Sequence, residues 1–370
     1  MDQEIALINL FILVILVITG ALLAVTPWLM RARECFAVTV PAEAQDDPAI
    51  RRLKRLYAGI MIAVTVVLSL ASAVLLVGGH FEAMTVVATG GMLGLSVLSV
   101  GLMLWCRSKV QAIKRERGWQ AVGSKASAVV VEGAMPHAVS LGWQLINVPI
   151  VAATLAIGLL GYSSMPDMVP IHMGFNGEVN GWVSKSLKVI LYAPLLQIFM
   201  TLCFGFSQWS IVHSKRAVAP DMPVASAYAY GLFARAQSMY LVGMGALLNL
   251  SFIAMQCSMI GVMAMGAAAA VVMAVAVVAI VGALVIAVVY GQSGARLMAR
   301  VKDGAALPSD DDRFWKLGIL YVNPNDPSLF VPARFGIGWT SNFGRPLSWV
   351  IVGLLVVVII GFMVAFVMLL

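Results

Sequence analysis

The run Ser348–Leu369, SWVIVGLLVVVIIGFMVAFVML, extends for 22 residues without a charge. A helix rises about 1.5 Å per residue, so such a run is long enough to cross a hydrocarbon core of roughly 30 Å. Similar runs lie near 5–28, 57–78, 83–105, 145–163, 188–212, 235–260 and 265–290. The chain has 370 residues, 61% of them hydrophobic and only 11% charged, with a mean hydropathy of +0.95. That is more apolar surface than a soluble domain can bury. Strand-type alternation is absent from these runs, so each span is expected to be a helix that satisfies its own backbone polar groups. The expected fold is all-α, a polytopic transmembrane bundle of about eight spans. The sixth and seventh spans are separated only by a Gly/Met-rich turn at Gly261–Gly266. Fusing them would invert the topology that follows.

Charge gives the orientation. Basic residues gather in alternate connections: Arg31, Arg33, Arg51, Arg52, Lys54 and Arg55, then 107–125, then Lys215, Arg216 and Arg235, then 296–345. By the positive-inside rule these connections are cytoplasmic and both termini lie outside. Of the 24 basic residues only Lys185 and Lys188 then fall on the outer side. The net charge of +7 is a topology signal, and no nucleic-acid partner is expected. The first apolar run is long for a signal core and reads as a retained span. Cys35, Cys106, Cys203 and Cys257 form no outer pair and no C-x-x-C motif.

The expected organisation is a seven-span bundle over 1–290, a small cytoplasmic domain over 291–346, and a last span over 347–370. The middle of the spans holds uncharged polar groups such as Gln197, Gln208, Asn249 and Gln256 rather than ionisable ones. Proton relays, ion-coupled transporters and intramembrane aspartyl proteases need charges there, so those classes are disfavoured. Asn249 and Gln256 share a helix face and are expected to bond a neighbouring helix; Gly90 and Gly94 offer a small-x-x-x-small contact.

Chemistry is therefore expected in the connections, above all in the outer loop 165–186, MPDMVPIHMGFNGEVNGWVSKS. Pro166 and Pro170 end the preceding helix. Gly174, Gly177 and Gly181 with Asn176 and Asn180 supply turn chemistry, giving a compact loop. Trp182 is placed to anchor at the interface, Lys185 and Lys188 to reach head groups, and Ser184 to cap the next helix. His172 reads as a hydrogen-bonding loop residue. The sharper alternative is zinc held by His172 and His80 with a carboxylate from Glu82, Asp167 or Glu178.

In the last cytoplasmic connection, Asp310, Asp311 and Asp312 with Arg313 look like a helix start. Phe314, Trp315, Tyr321 and Phe330 offer a small core, and Asn323-Pro324-Asn325-Asp326-Pro327 a rigid turn. Arg334 and Gly336, Gly338 and Gly344 lead back to the last span. The segment is expected to lie as a lid on the cytoplasmic mouth, with no nucleotide site. In the second cytoplasmic connection RSKVQAIKRERGWQ is basic and partly amphipathic, able to lie on anionic lipid, and Ala128–Val131 is a short β-prone run.

The pattern P-x-H-x-G-x-x-G-x-x-N-x-W-x-x-K, carried by Pro170, His172, Gly174, Gly177, Asn180, Trp182 and Lys185, resembles the outer motif of bacterial SdpI-type membrane proteins. That family includes an immunity protein against a secreted toxin, and often has an acidic residue where this chain has Asn180. The run from Asp311 to Pro346 is similar to a small domain accompanying that motif in a subset of the family, and FAVTVPAEAQDDPAIRRLKRLY to the subset's cytoplasmic segment. The resemblance implies a multi-pass protein of the bacterial cytoplasmic membrane, a non-enzyme without a cofactor. Its implied partners are membrane lipids, a secreted peptide toxin met by the outer loop, and a cytoplasmic regulator. The alternatives are a metal-dependent enzyme at the outer interface using His172, and a transporter or lipid-handling protein.

Overall fold

The computed structural model describes residues 2–120, 135–174, 178–216, 218, 222–298 and 310–369. Ten helices follow in order among them: α1 (Asp2–Leu29), α2 (Pro48–Val77), α3 (Phe81–Glu116), α4 (Asn147–Leu160), α5 (Leu187–Ile190), α6 (Tyr192–Val212), α7 (Pro223–Met259), α8 (Met265–Tyr290), α9 (Ala295–Met298) and α10 (Pro346–Leu369). Among the described residues eight helical segments are long and apolar enough to cross a membrane. The turn after Met259, with Gly261 at φ +78°, separates α7 from α8, so the sixth and seventh spans are distinct.

Two helices outrun the expected spans. The third continues to Glu116, absorbing most of the basic stretch expected to lie on lipid, and ends with Lys114 and Arg115 where cations complement the helix dipole. The sixth begins at Pro223, well before the apolar run. Hydropathy marks the part of a helix that lies in lipid, and these helices project beyond it. The β-prone run Ala128–Val131 lies outside the described residues.

The spans form two groups. In the first, α1, α2 and α3 pack on one another, with Tyr57 and Ser99 hydroxyls 2.7 Å apart and Thr85 donating to Asn9 Oδ1 at 3.0 Å. Gly91, rather than Gly90 or Gly94, is the close glycine: a β carbon built there lies 3.0 Å from Leu68, whereas at Gly90 and Gly94 it meets nothing within 4 Å. The second group is α4, α6, α7 and α8, with α10 laid on α6 through Phe199–Phe362 (4.0 Å) and Tyr192–Phe366 (4.3 Å). The groups meet where Leu29 and Met30 pack on Ala287.

Among the described residues four two-stranded antiparallel sheets occupy the connections: β1 (Glu34–Cys35) with β2 (Val38–Thr39), β3 (Met168–Met173) with β4 (Val179–Ser184), β5 (Trp315–Lys316) with β6 (Leu320–Tyr321), and β7 (Phe330–Pro332) with β8 (Trp339–Ser341). The β3–β4 hairpin stands alone at one end of the bundle. The other three sheets share the opposite end, where residues 310–345 form a cap. Asn9 bonds the start of α3 and Phe366 packs on the start of α6, so the first and last spans both point their chain ends to the hairpin end.

Candidate functional site

The motif segment forms the β3–β4 hairpin. Val169 is buried and Ile171 and Val183 are partly covered, while Met168, His172, Asn180, Trp182 and Ser184 are exposed. Pro170 pairs with Trp182, and His172 with Gly181, with register shifts on either side of His172. A β carbon on Gly181 would sit 2.6 Å from that of His172, so only glycine lets the strands approach here. The tip is closed by Gly174 N–H donating to Glu178 O at 2.8 Å; Asn176 and Gly177 lie outside the described residues.

His172 Nδ1 donates to Asn180 Oδ1, because an amide oxygen can only accept. In the neutral imidazole that bond places the proton on Nδ1 and the lone pair on Nε2. The amide of Asn180 therefore does the orienting work that an acidic residue at this position can do. Among the described residues no three His, Cys, Asp or Glu side chains converge as metal ligands, so His80, Glu82, Asp167 and Glu178 are not assembled around His172.

Two expectations at the root are corrected. Lys185 does not extend to head groups: its Nζ donates to Met165 O (2.8 Å) and Ser163 O (3.3 Å) and lies 5.1 Å over the Tyr162 ring, stitching the hairpin base. Ser184 is a strand residue, 4.0 Å from Met168 sulfur, and Ser186 takes the position before α5 without a side-chain cap. Trp182 is about half exposed and donates to Val179 O at 3.2 Å. Met165 and Val169 pack with Ile190, Met259 and Ile260, so the hairpin stands on the α7–α8 turn.

Beneath this root runs a seam of buried amides and hydroxyls. Gln208 donates to Val139 O and Ser140 O and accepts from Gln144; Asn147 donates to Gln144; Asn249 donates to Asn147 Oδ1 at 2.7 Å and Thr201 at 2.8 Å. Gln197 donates to Thr154 (2.7 Å) and to Asn249 O (2.8 Å). Two turns beyond Asn249, the amide of Gln256 lies against Gly158 of α4 without a hydrogen bond there. Asn249 thus meets the expectation of an interhelical bond, and Gln256 does not. In lipid such bonds replace water as partners for the polar groups, tying α4, α6 and α7 in one register.

The second candidate site is the cap. Its centre is Arg334, 2% exposed, with ion pairs to Asp311, Asp312 and Glu34, a bond to Ala37 O at 3.2 Å, and Trp315 5.0 Å from its guanidinium. Arg107 reaches Ala37 O and Trp315 O from α3, and Lys114 binds Asp310 and Asp312 at 2.6 and 2.7 Å. Instead of starting a helix, Asp312–Phe314 make one 3-10 turn and enter β5, because the carboxylates are spent on these cations and on Thr39. Trp315, Tyr321, Val331 and Phe314 form a small core, while Phe330 packs elsewhere, 5.4 Å from Trp209.

The turn is built as its sequence suggests: Asn323 Oδ1 accepts from Asn325 N–H and Asp326 Oδ1 from Ser328 N–H, with Pro324 and Pro327 between. Asp326 also accepts from Tyr321 (3.0 Å) and Lys215 (2.7 Å). Burial pushes the Tyr321 hydroxyl up to about 12, Asn323 opposing and Asp326 adding to it. Two organisers were not foreseen. Asn342, fully buried, donates to three carbonyls and accepts from Asn323 N–H and Gly344 N–H. Gln292, also fully buried, clamps Ala333 O and Gly338 at 2.8 to 2.9 Å. With Trp339 on Phe233 and Tyr230, these contacts fasten the cap to the second helix group, as Arg334 fastens it to the first.

Burial alone would raise the Asp312 carboxyl, but the Arg334 guanidinium and hydrogen bonds from Lys114 and Thr39 hold it at about 2, against an ordinary 3.8. Its contribution is therefore complete above the unfolded value and is lost as pH falls through the folded one. Asp312→Asn is expected to cost about 2 kcal/mol at neutral pH. In thermal melts of the detergent-purified protein the gap from wild type should close as pH falls from about 4 to 2. Burial raises the Glu34 carboxyl against the pull of Arg31 and Arg334, an effect of opposite sign shared by both proteins. A gap that stays constant over this range would show that Asp312 is not ionised in the network.

No curated protein and no solved structure matches the chain. A domain of unknown function, DUF1648, matches residues 150–198, which span most of α4, the hairpin, α5 and the first turns of α6. A family of unknown function, DUF5808, matches residues 324–349, from the cap turn to the first turn of α10. The chain is a multi-pass helical membrane protein that carries a DUF1648 segment around its hairpin and a DUF5808 segment in its cap.

Proposed function

We propose that this is an immunity and sensing protein of the bacterial cytoplasmic membrane, whose hairpin meets a secreted toxic peptide outside the cell. The basic residues flanking the cap end, against Lys185 and Lys188 at the hairpin end, support an orientation with cap inside and both termini outside. The observation that carries the reading is the hairpin itself. It is a two-stranded sheet with unpaired outer edges and the exposed residues Met168, His172, Asn180 and Trp182. An extended peptide can add to such an edge by backbone hydrogen bonds, with side chains on the face supplying specificity. The buried seam offers a physical link from the hairpin root toward the cap, through which binding can be reported to a cytoplasmic regulator.

The test is protection. Sensitive bacteria expressing the wild type should survive the secreted peptide, whereas His172→Ala and Trp182→Ala, present at equal membrane levels, should lose protection almost entirely. Full protection by both variants would remove the hairpin face from the mechanism.

A further inference from the structure

The turn between β5 and β6 holds Leu317 at φ +52° and Gly318 at φ +74°. The connection is three residues, and its turn is closed by Ile319 N–H donating to Lys316 O at 3.2 Å; two positive φ values at the central positions of such a turn suit asparagine followed by glycine, and a bulky aliphatic residue at the first is strained. Nothing in the core compensates, since Leu317 is 61% exposed. The rest of the hairpin is sided: Trp315 and Tyr321 are buried, while Lys316 and Leu320 are exposed, as is Arg313 just before.

The height of this tip is fixed by its neighbours. A β carbon on Gly318 would lie 2.7 Å from Ala37 Cβ and 3.3 Å from Arg107 Cδ, so the tip sits beside α3 at the level of Arg107. Immediately around that level Trp105 is exposed and Lys109 Nζ lies 5.7 Å over its ring. A tryptophan with a lysine folded over it marks the boundary between hydrocarbon and head groups.

We propose that the β5–β6 hairpin is a membrane-interface anchor: Leu317 and Leu320 enter the acyl boundary of the cap-side leaflet, while Lys316 and Arg313 contact anionic head groups. The strained leucine is then retained for lipid contact, and the cap is held on the bilayer as well as on the helices. This inference requires only that the chain spans a membrane, and stands apart from peptide recognition.

The test uses the full chain with Cys203→Ser and Cys257→Ser, in nanodiscs of phosphatidylcholine with or without phosphatidylglycerol. A bimane probe at Leu317→Cys should be quenched several-fold more by lipids bearing a nitroxide near the head group than by aqueous iodide. A probe at Asn325→Cys, on the exposed turn, should show the reverse. Iodide quenching at 317 equal to that at 325 overturns the proposal, as does quenching by neither agent, which indicates a protein partner. Leu317→Asn needs no label: it should melt no lower than wild type in detergent, and lower in phosphatidylglycerol nanodiscs. Equal shifts in both media also overturn it.

Discussion

Replacing Arg334 with methionine is expected to unfasten the cap while leaving the eight spans in place. The guanidinium is 2% exposed and serves Asp311, Asp312, Glu34 and Ala37 O together. Without it Glu34, 8% exposed at its side chain, keeps Arg31, and Asp312 keeps Lys114 and Thr39, so the loss is partial. Removing one partner from a buried charge cluster costs about 3–5 kcal/mol, and the low end applies here. Arg334→Lys should recover little, since one ammonium cannot reproduce the fork shared by Asp311 and Asp312. Thiol labelling reads the result. Cys35 and Cys106 are 2% and 1% exposed beneath this network, and burial pushes the Cys35 thiol up to about 12. In a Cys203→Ser, Cys257→Ser background both should become reactive in Arg334→Met. Thiols that stay silent, with an unchanged melting temperature, would mean the charges are not what closes this end.

Gly181→Val is the second large effect, and it is local. The β carbon would lie 2.6 Å from His172 Cβ and 3.3 Å from its backbone nitrogen, atoms that cannot swing away. The strands must separate, at a cost of about 2 kcal/mol typical of overpacking. That exceeds what a two-stranded hairpin holds by itself. Hydrogen exchange across 168–184 should rise to that of open chain while α4, α6 and α7 remain protected by their seam. Under the proposed function, protection against a secreted peptide should disappear with it. A hairpin that keeps its slow exchange would show that the register at His172 is looser than this pairing.

The hairpin was partly legible. Val179, Gly181 and Val183 alternate with Asn180, Trp182 and Ser184, the period of a half-buried strand. The prolines and glycines in the same stretch read more strongly as turn signals, and the two register shifts at His172 break the alternation on its partner strand. Gln292 and Asn342 carried no signal at all, because a buried amide that clamps distant backbone looks like any loop amide until the chain is folded. Lys185 misled for a related reason: a lysine beside an interface has lipid and backbone carbonyls equally in reach, and only the packed base of the hairpin decides between them.

What the sequence determined alone was the class and the span count. Apolar length is a local property, and uninterrupted apolar runs of this length without strand alternation satisfy their backbone in a bilayer only as helices, so eight runs became eight helices long and apolar enough to cross a membrane. The turn chemistry of Asn323 to Pro327 was likewise local and held. The tertiary structure decided which polar residues meet. The bonds from Asp312 to Thr39, Arg334 to Ala37 and Asn249 to Asn147 join residues far apart in the chain. Their partners are chosen by how helices pack and loops return, a property that no stretch of sequence carries by itself.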